Sequence, residues 1–114
     1  MKSIVEKRRD PRIPVSLPVV LMTRRGAIKG KTVNLSISGL ALLLLPEIPE
    51  IDDEFQMTLK LPEDHIMPLT CEKIWSDKIV FDGSLHIGIG VRFVKISSNN
   101  RQIIASKVAE YDLI

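Results

Sequence analysis

From Leu17 onward the chain breaks into short apolar or alternating runs separated by Gly, Pro, Asn and Asp. That pattern is expected of an all-β barrel or sandwich, because short strands must turn back on one another to bury their apolar faces together. The candidate strands are 17–23, 28–33, 39–45, 54–61, 69–76 and 86–94. Two alternate clearly enough to assign faces. Phe55, Met57, Leu59 and Leu61 share one side of their strand, and Ile87, Ile89, Val91 and Phe93 one side of theirs, so both sets are expected in the core. Gln56, Thr58 and Lys60, and likewise His86 and Arg92, then face outward. The run Gly39 to Leu45 is apolar on both sides, so a second element is expected over its outer face, and a C-terminal helix could supply that cover. Such a helix is predicted from Asn100 to Asp112, with Asn99 as N-cap, Gln102 three residues later, and a stripe of Ile104, Val108 and Tyr111 with Ile103 alongside. Strands followed by one helix give an antiparallel barrel with a helical appendage.

With 114 residues the chain is large enough for one core and too small for two. Residues 1–14 differ from the rest: they are polar, basic and interrupted by Pro11 and Pro14. They read as a mobile arm, ahead of a barrel over 15–97 and a helix over 98–114. The net charge is only +2, so attraction for an anion must come from local clustering. The arm supplies it, with Lys2, Lys7, Arg8, Arg9 and Arg12 against Glu6 and Asp10. The longest apolar run, Leu40 to Leu45, is far below the roughly 18 residues that read as a membrane span. A single cysteine, Cys71, and the lack of a signal-peptide apolar region after Met1-Lys2-Ser3 make a reducing cytoplasm the expected compartment.

Two short elements carry the chemistry. The arm segment Lys7-Arg8-Arg9-Asp10-Pro11-Arg12 contains Arg-x-x-x-Arg at Arg8 and Arg12. The turn Asn34-Leu35-Ser36-Ile37-Ser38-Gly39 contains Asn-x-Ser-x-x-Gly. Guanidinium forks pair bidentately with phosphate and with the O6/N7 edge of guanine, and their planes stack on bases. The combination suits an anionic ligand bearing guanine. Ser36 can hydrogen-bond base, phosphate or its own turn, and an ordinary Ser turn is the plainer reading for Ser38. Gly39 supplies either a special backbone conformation or a close approach. Gly88 and Gly90 serve either close approach or a barrel bend, and Trp75 is expected at the barrel rim. His65 in a Pro-rich loop, His86 at a strand start and Cys71 lack the spacing of a metal site or a triad. Cys71 reads as a small core residue. Glu47 to Glu54 reads as a solvated loop or a partner surface.

In their order and separation, together with Ile74-Trp75 and Ile87-Gly88-Ile89-Gly90-Val91-Arg92-Phe93, the two elements resemble the PilZ domain, a bacterial receptor module for cyclic di-GMP. The resemblance covers nearly the whole chain. It implies a mainly β fold: a six-stranded antiparallel PilZ-type β-barrel with a flexible basic N-terminal arm and a C-terminal α-helix. It also implies a ligand site in which Arg8 and Arg12 grip the phosphates and guanine, while Arg9 adds a phosphate contact or only solubility. Lys7 sits where the family influences whether one ligand or a stacked pair binds. Asn34 stands where many relatives carry Asp, so it offers guanine one acceptor and one donor group rather than two acceptors. Ser36 and Gly39 complete the implied site.

The function implied is that of a stand-alone second-messenger receptor rather than an enzyme, with cyclic di-GMP as ligand, no cofactor and no metal. Ordering of the arm would be read by a separate effector protein, without membrane insertion. Two other classes stay open. One is a PilZ-like protein-interaction module that binds no nucleotide, ranked lower because both motifs are intact. The other is a single-stranded nucleic-acid binder, weaker still because such proteins stack bases on aromatics and this chain has only Phe55, Phe81, Phe93, Trp75 and Tyr111.

Overall fold

The computed structural model describes residues 10–46 and 51–112. Six strands, β1 (Pro18–Thr23), β2 (Gly26–Leu35), β3 (Gly39–Leu44), β4 (Glu54–Leu61), β5 (His65–Phe81) and β6 (Ser84–Lys95), precede a helix, α1 (Ser98–Asp112). Every pairing is antiparallel, and the sheet closes in the order β1-β2-β3-β6-β5-β4. The mainly β, six-stranded barrel with a C-terminal helix is therefore the architecture found.

Alternation decides what lies inside. Phe55, Met57, Leu59 and Leu61 are buried while Glu54, Gln56 and Lys60 are exposed. Ile89, Val91 and Phe93 are buried and Ile87 is partly so. A one-residue slip of β4 would carry Gln56 and Lys60 inward, which fixes its register. Leu40, Leu42 and Leu44 of β3 join the same core cluster.

The outer face of β3 is buried as well, but by a different element from the one expected. Ala41 and Leu43 pair with Gly90 and Gly88 of β6. Trp75 and Ile79 of β5 lie over those glycines. A Cβ on Gly90 would stand 2.0 Å from Trp75 Nε1, and one on Gly88 3.0 Å from Ile79 Cδ1. Cover on this side thus comes from β5 rather than from the helix, and close approach is what the glycine pair permits.

β5 is much longer than the predicted 69–76. It pairs with β4 as far as Glu72 and with β6 from Thr70 to Phe81. Its second half and the start of β6 therefore form a two-stranded ribbon closed by the two-residue Asp82-Gly83 loop. Ser76-Asp77-Lys78 continue the strand because they are exposed there and need no core partner. His65, expected in a loop, opens β5, and Pro68 pairs with Thr58 before β6 joins, where a strand tolerates proline.

The helix also differs at its start. Ser97 Oγ accepts from the Asn100 N–H at 3.0 Å, and the Ser97 carbonyl accepts from the Arg101 N–H at 2.9 Å, so Ser97 is the N-cap. Asn99 and Gln102 lie exposed within α1 instead of forming a capping pair. Ser97-Ser98-Asn99-Asn100 offers four cap-forming side chains in succession, among which periodicity cannot choose. Ile104 and Val108 are buried and Ile103 partly so, whereas Tyr111, expected in the stripe, is exposed at the far end of the helix. Among the described residues no helix is long and apolar enough to cross a membrane.

Candidate functional site

One isolated pairing ties the residue that follows the arm segment to the turn segment. Ile13 bridges Leu35 antiparallel to it, with both N–H to carbonyl bonds at 2.9 Å. Ile13 is 2% exposed and belongs to the core, so the polar arm reaches the core immediately after Arg12 rather than at residue 14. Thr32 fastens the next residues: its Oγ1 accepts from the Leu17 N–H at 2.9 Å and donates to the Val15 carbonyl at 2.6 Å. Its N–H donates to the Leu17 carbonyl at 2.9 Å. Antiparallel pairing of Ile13 with Leu35 puts Arg12 opposite Ser36, at the turn, and alternation turns its side chain away from the core, where it is exposed. Arg8 and Arg9, like Lys7, lie outside the described residues.

The turn is a tight β2–β3 hairpin with Ile37-Ser38 at its tip. Ser36 closes it. Its N–H donates to the Gly39 carbonyl at 2.8 Å, and its Oγ accepts from the Ser38 and Gly39 N–H groups, both at 3.2 Å. Oγ also stands 3.2 Å from the Gly39 carbonyl and 3.3 Å from Ser38 Oγ. At 2% exposure, Ser36 is occupied with its own turn. Gly39 has no positive φ, and a Cβ there would stand 2.1 Å from the Val91 carbonyl oxygen, so it serves close approach to β6. The Ser38 carbonyl accepts from the Phe93 N–H at 2.9 Å, stitching the tip to the same strand.

Asn34 lies just after a bulge, where β2 pairing shifts between Thr32 and Asn34. The bulge disturbs the ladder opposite Ala41, and Asn34 Oδ1 accepts from the Ala41 N–H at 3.0 Å. One lone pair of that oxygen is thus engaged, leaving the second lone pair and the amide NH2 for a ligand. Neither the bulge nor this engagement is legible in the sequence.

Two residues beyond the motifs flank the turn. Arg92, the register partner of Gly39, carries a half-exposed guanidinium paired with Glu72. Trp75 lies over Gly90 and Gly88 and is 42% exposed, so its indole is covered by backbone on one side and open to solvent elsewhere. Gly90 is two residues from Arg92 on the same face of β6, so this aromatic surface and the Arg92 side chain share one outer face. Cationic planes, an open aromatic face and an amide donor together suit an anionic ligand with a planar base. Cys71 is fully buried, and burial pushes its thiol up to about 12. Among the described residues no three His, Cys, Asp or Glu side chains gather as metal ligands.

The PilZ domain family matches residues 6–110. Among solved structures, the PilZ domain of YcgR from Escherichia coli with c-di-GMP superimposes with a TM-score of 0.73 at 18% identity, over 93% of this chain and 95% of that one. The MrkH–c-di-GMP complex of K. pneumonia gives 0.80 at 17% identity, over 96% and 54%. The inhibitor of motility MotI/DgrA of Bacillus subtilis gives 0.76 at 17% identity, over 96% and 53%. The chain therefore spans about half the length of the last two. No curated protein matches it in sequence. The family match extends from the basic arm to the helix and includes both short elements, and the closed six-stranded barrel is shared with these structures: the chain belongs to the PilZ domain family.

Proposed function

We propose that this domain is a cyclic di-GMP receptor that binds the dinucleotide without hydrolysing it and passes the bound state to a partner protein. The observation that carries the reading is the Ile13–Leu35 bridge, which tethers Arg12 beside the Asn34–Gly39 turn. The complexes of YcgR and MrkH with c-di-GMP, built on the same barrel, support it. Arg12, with Arg8 and Arg9 from the arm, supplies charge-assisted donors to phosphate oxygens and to the guanine O6/N7 edge. The Asn34 oxygen keeps the hairpin closed, and its second lone pair accepts from guanine N–H. Ser36 and Gly39 act through shape: they hold the turn flat against β6, so that Arg12, Asn34 and the open face of Trp75 converge. A purine stacked on that indole would gain contact area at little entropic cost, because the ring is already fixed over the glycines. Ordering of the arm on the ligand is the change a partner would read.

Titration calorimetry with cyclic di-GMP, against GTP and single-stranded DNA, tests the reading. Saturable heat with cyclic di-GMP alone and recovery of intact ligand are expected. No heat at hundreds of micromolar ligand, or appearance of a cleavage product, would contradict it. Commitment of Ser36 and Gly39 to their own turn favours a second reading, in which the motif survives for its shape in a protein-interaction module. The same titration separates the two.

A further inference from the structure

Arg92 stands where the turn meets β6. It pairs with Gly39, a Cβ on Gly39 would lie 3.2 Å from its Cα, and the next residue, Phe93, donates its N–H to the Ser38 carbonyl. Its side chain shares the outer face of β6 with the glycines that seat Trp75. Both of its bonded nitrogens, Nε at 3.0 Å and Nη2, donate to a single oxygen of Glu72 on β5, Oε1. Nη1 makes no hydrogen bond to a described residue. The two side chains are 56% and 42% exposed, so the pair is solvent-screened and weakly held.

We infer that Arg92 is a further ligand-binding residue of the cyclic di-GMP site and that Glu72 is its internal competitor. The inference rests on the receptor reading above. A guanidinium engaged through one carboxylate oxygen can exchange that partner for a phosphate, or for the O6/N7 edge of guanine, either of which accepts two parallel N–H bonds. The ligand thus takes Arg92 from Glu72, and affinity is set partly by what Glu72 holds back. The two residues of one ion pair therefore have opposite effects on binding. A pair that merely braces β5 against β6 would give effects of the same sign, since either variant loses the same contact.

Calorimetry with cyclic di-GMP on the full chain tests this with five proteins: unsubstituted, Arg92→Ala, Arg92→Lys, Glu72→Gln and the double variant of Arg92→Ala with Glu72→Gln. Thermal melts establish that each is folded, and Arg92→Lys, which keeps the charge but not the fork, is expected between the unsubstituted protein and Arg92→Ala. Arg92→Ala is expected to weaken binding about tenfold. Glu72→Gln is expected to tighten it roughly two- to fivefold. In the Arg92→Ala background Glu72→Gln should change nothing, because the competitor then has nothing to hold. Unchanged or weaker binding by Glu72→Gln overturns the inference, as does full affinity in Arg92→Ala. Equal tightening with and without Arg92 also overturns it, since this would be bulk charge acting at a distance. If the unsubstituted protein fails to bind, the receptor reading falls and this inference with it. If it binds and the variants do not respond, only the inference falls.

Discussion

The motif residues differ in what their atoms are already doing. Ser36 Oγ, itself buried, serves two N–H groups of the hairpin, so Ser36→Ala leaves both without that partner. It is expected to lower stability by about 1–3 kcal/mol, read as the denaturant midpoint, with affinity falling because the turn loses its shape. Arg12→Ala should do the reverse. Its exposed side chain contributes little to folding, so the midpoint should stay nearly constant while calorimetry shows at least about tenfold weaker binding of cyclic di-GMP. A matching loss of stability in both variants would show that the arm is structural. Asn34 lies between these cases. Asn34→Asp keeps the acceptor for the Ala41 N–H and adds a second one for guanine N1–H and N2–H, so a few-fold tightening is expected in the same titration. Weaker binding would mean that the ligand uses the amide NH2. The residue types were legible in the sequence, but their division of labour was not, since a serine that binds a ligand and one that binds its own turn look alike.

Strands with one apolar face were legible because alternation is imposed by burial: β4 has the predicted bounds and its apolar face is the one inside. Features that depend on a neighbour's position were not. Ile13 is a lone apolar residue between Pro11 and Pro14 with no periodicity to mark it, yet it completes the core and sets where Arg12 stands. The ribbon escaped for a related reason, since Ser76-Asp77-Lys78 carries the composition of a turn while pairing with β6 throughout. The bridge gives a prediction at this scale. Ile13→Ala is expected to cost about 2–5 kcal/mol of stability, measured by denaturant unfolding, and to weaken cyclic di-GMP binding although Ile13 is buried in the core and not at the ligand surface. Unchanged affinity in a folded Ile13→Ala protein would show that the arm reaches the ligand without its tether.

Closure of the sheet pairs each strand of the barrel body on both sides, which makes it a stiff support on which binding is expected to change little. The surface expected to respond comprises Arg12, the hairpin from Asn34 to Gly39, and the Trp75 face on the outer side of β6. The fold class and family were legible because motif order and strand pattern agreed, whereas the proposed convergence of the two motifs on one surface depends on the folded chain. The most direct test of that convergence is two-dimensional amide and indole NMR of the isotope-labelled protein titrated with cyclic di-GMP. The account predicts that Arg12, residues 34–39 and the Trp75 indole shift together along one binding isotherm, while the amides of β1 and β4 stay in place. Shifts in the arm and the hairpin that follow different isotherms, or binding with neither segment perturbed, would contradict it.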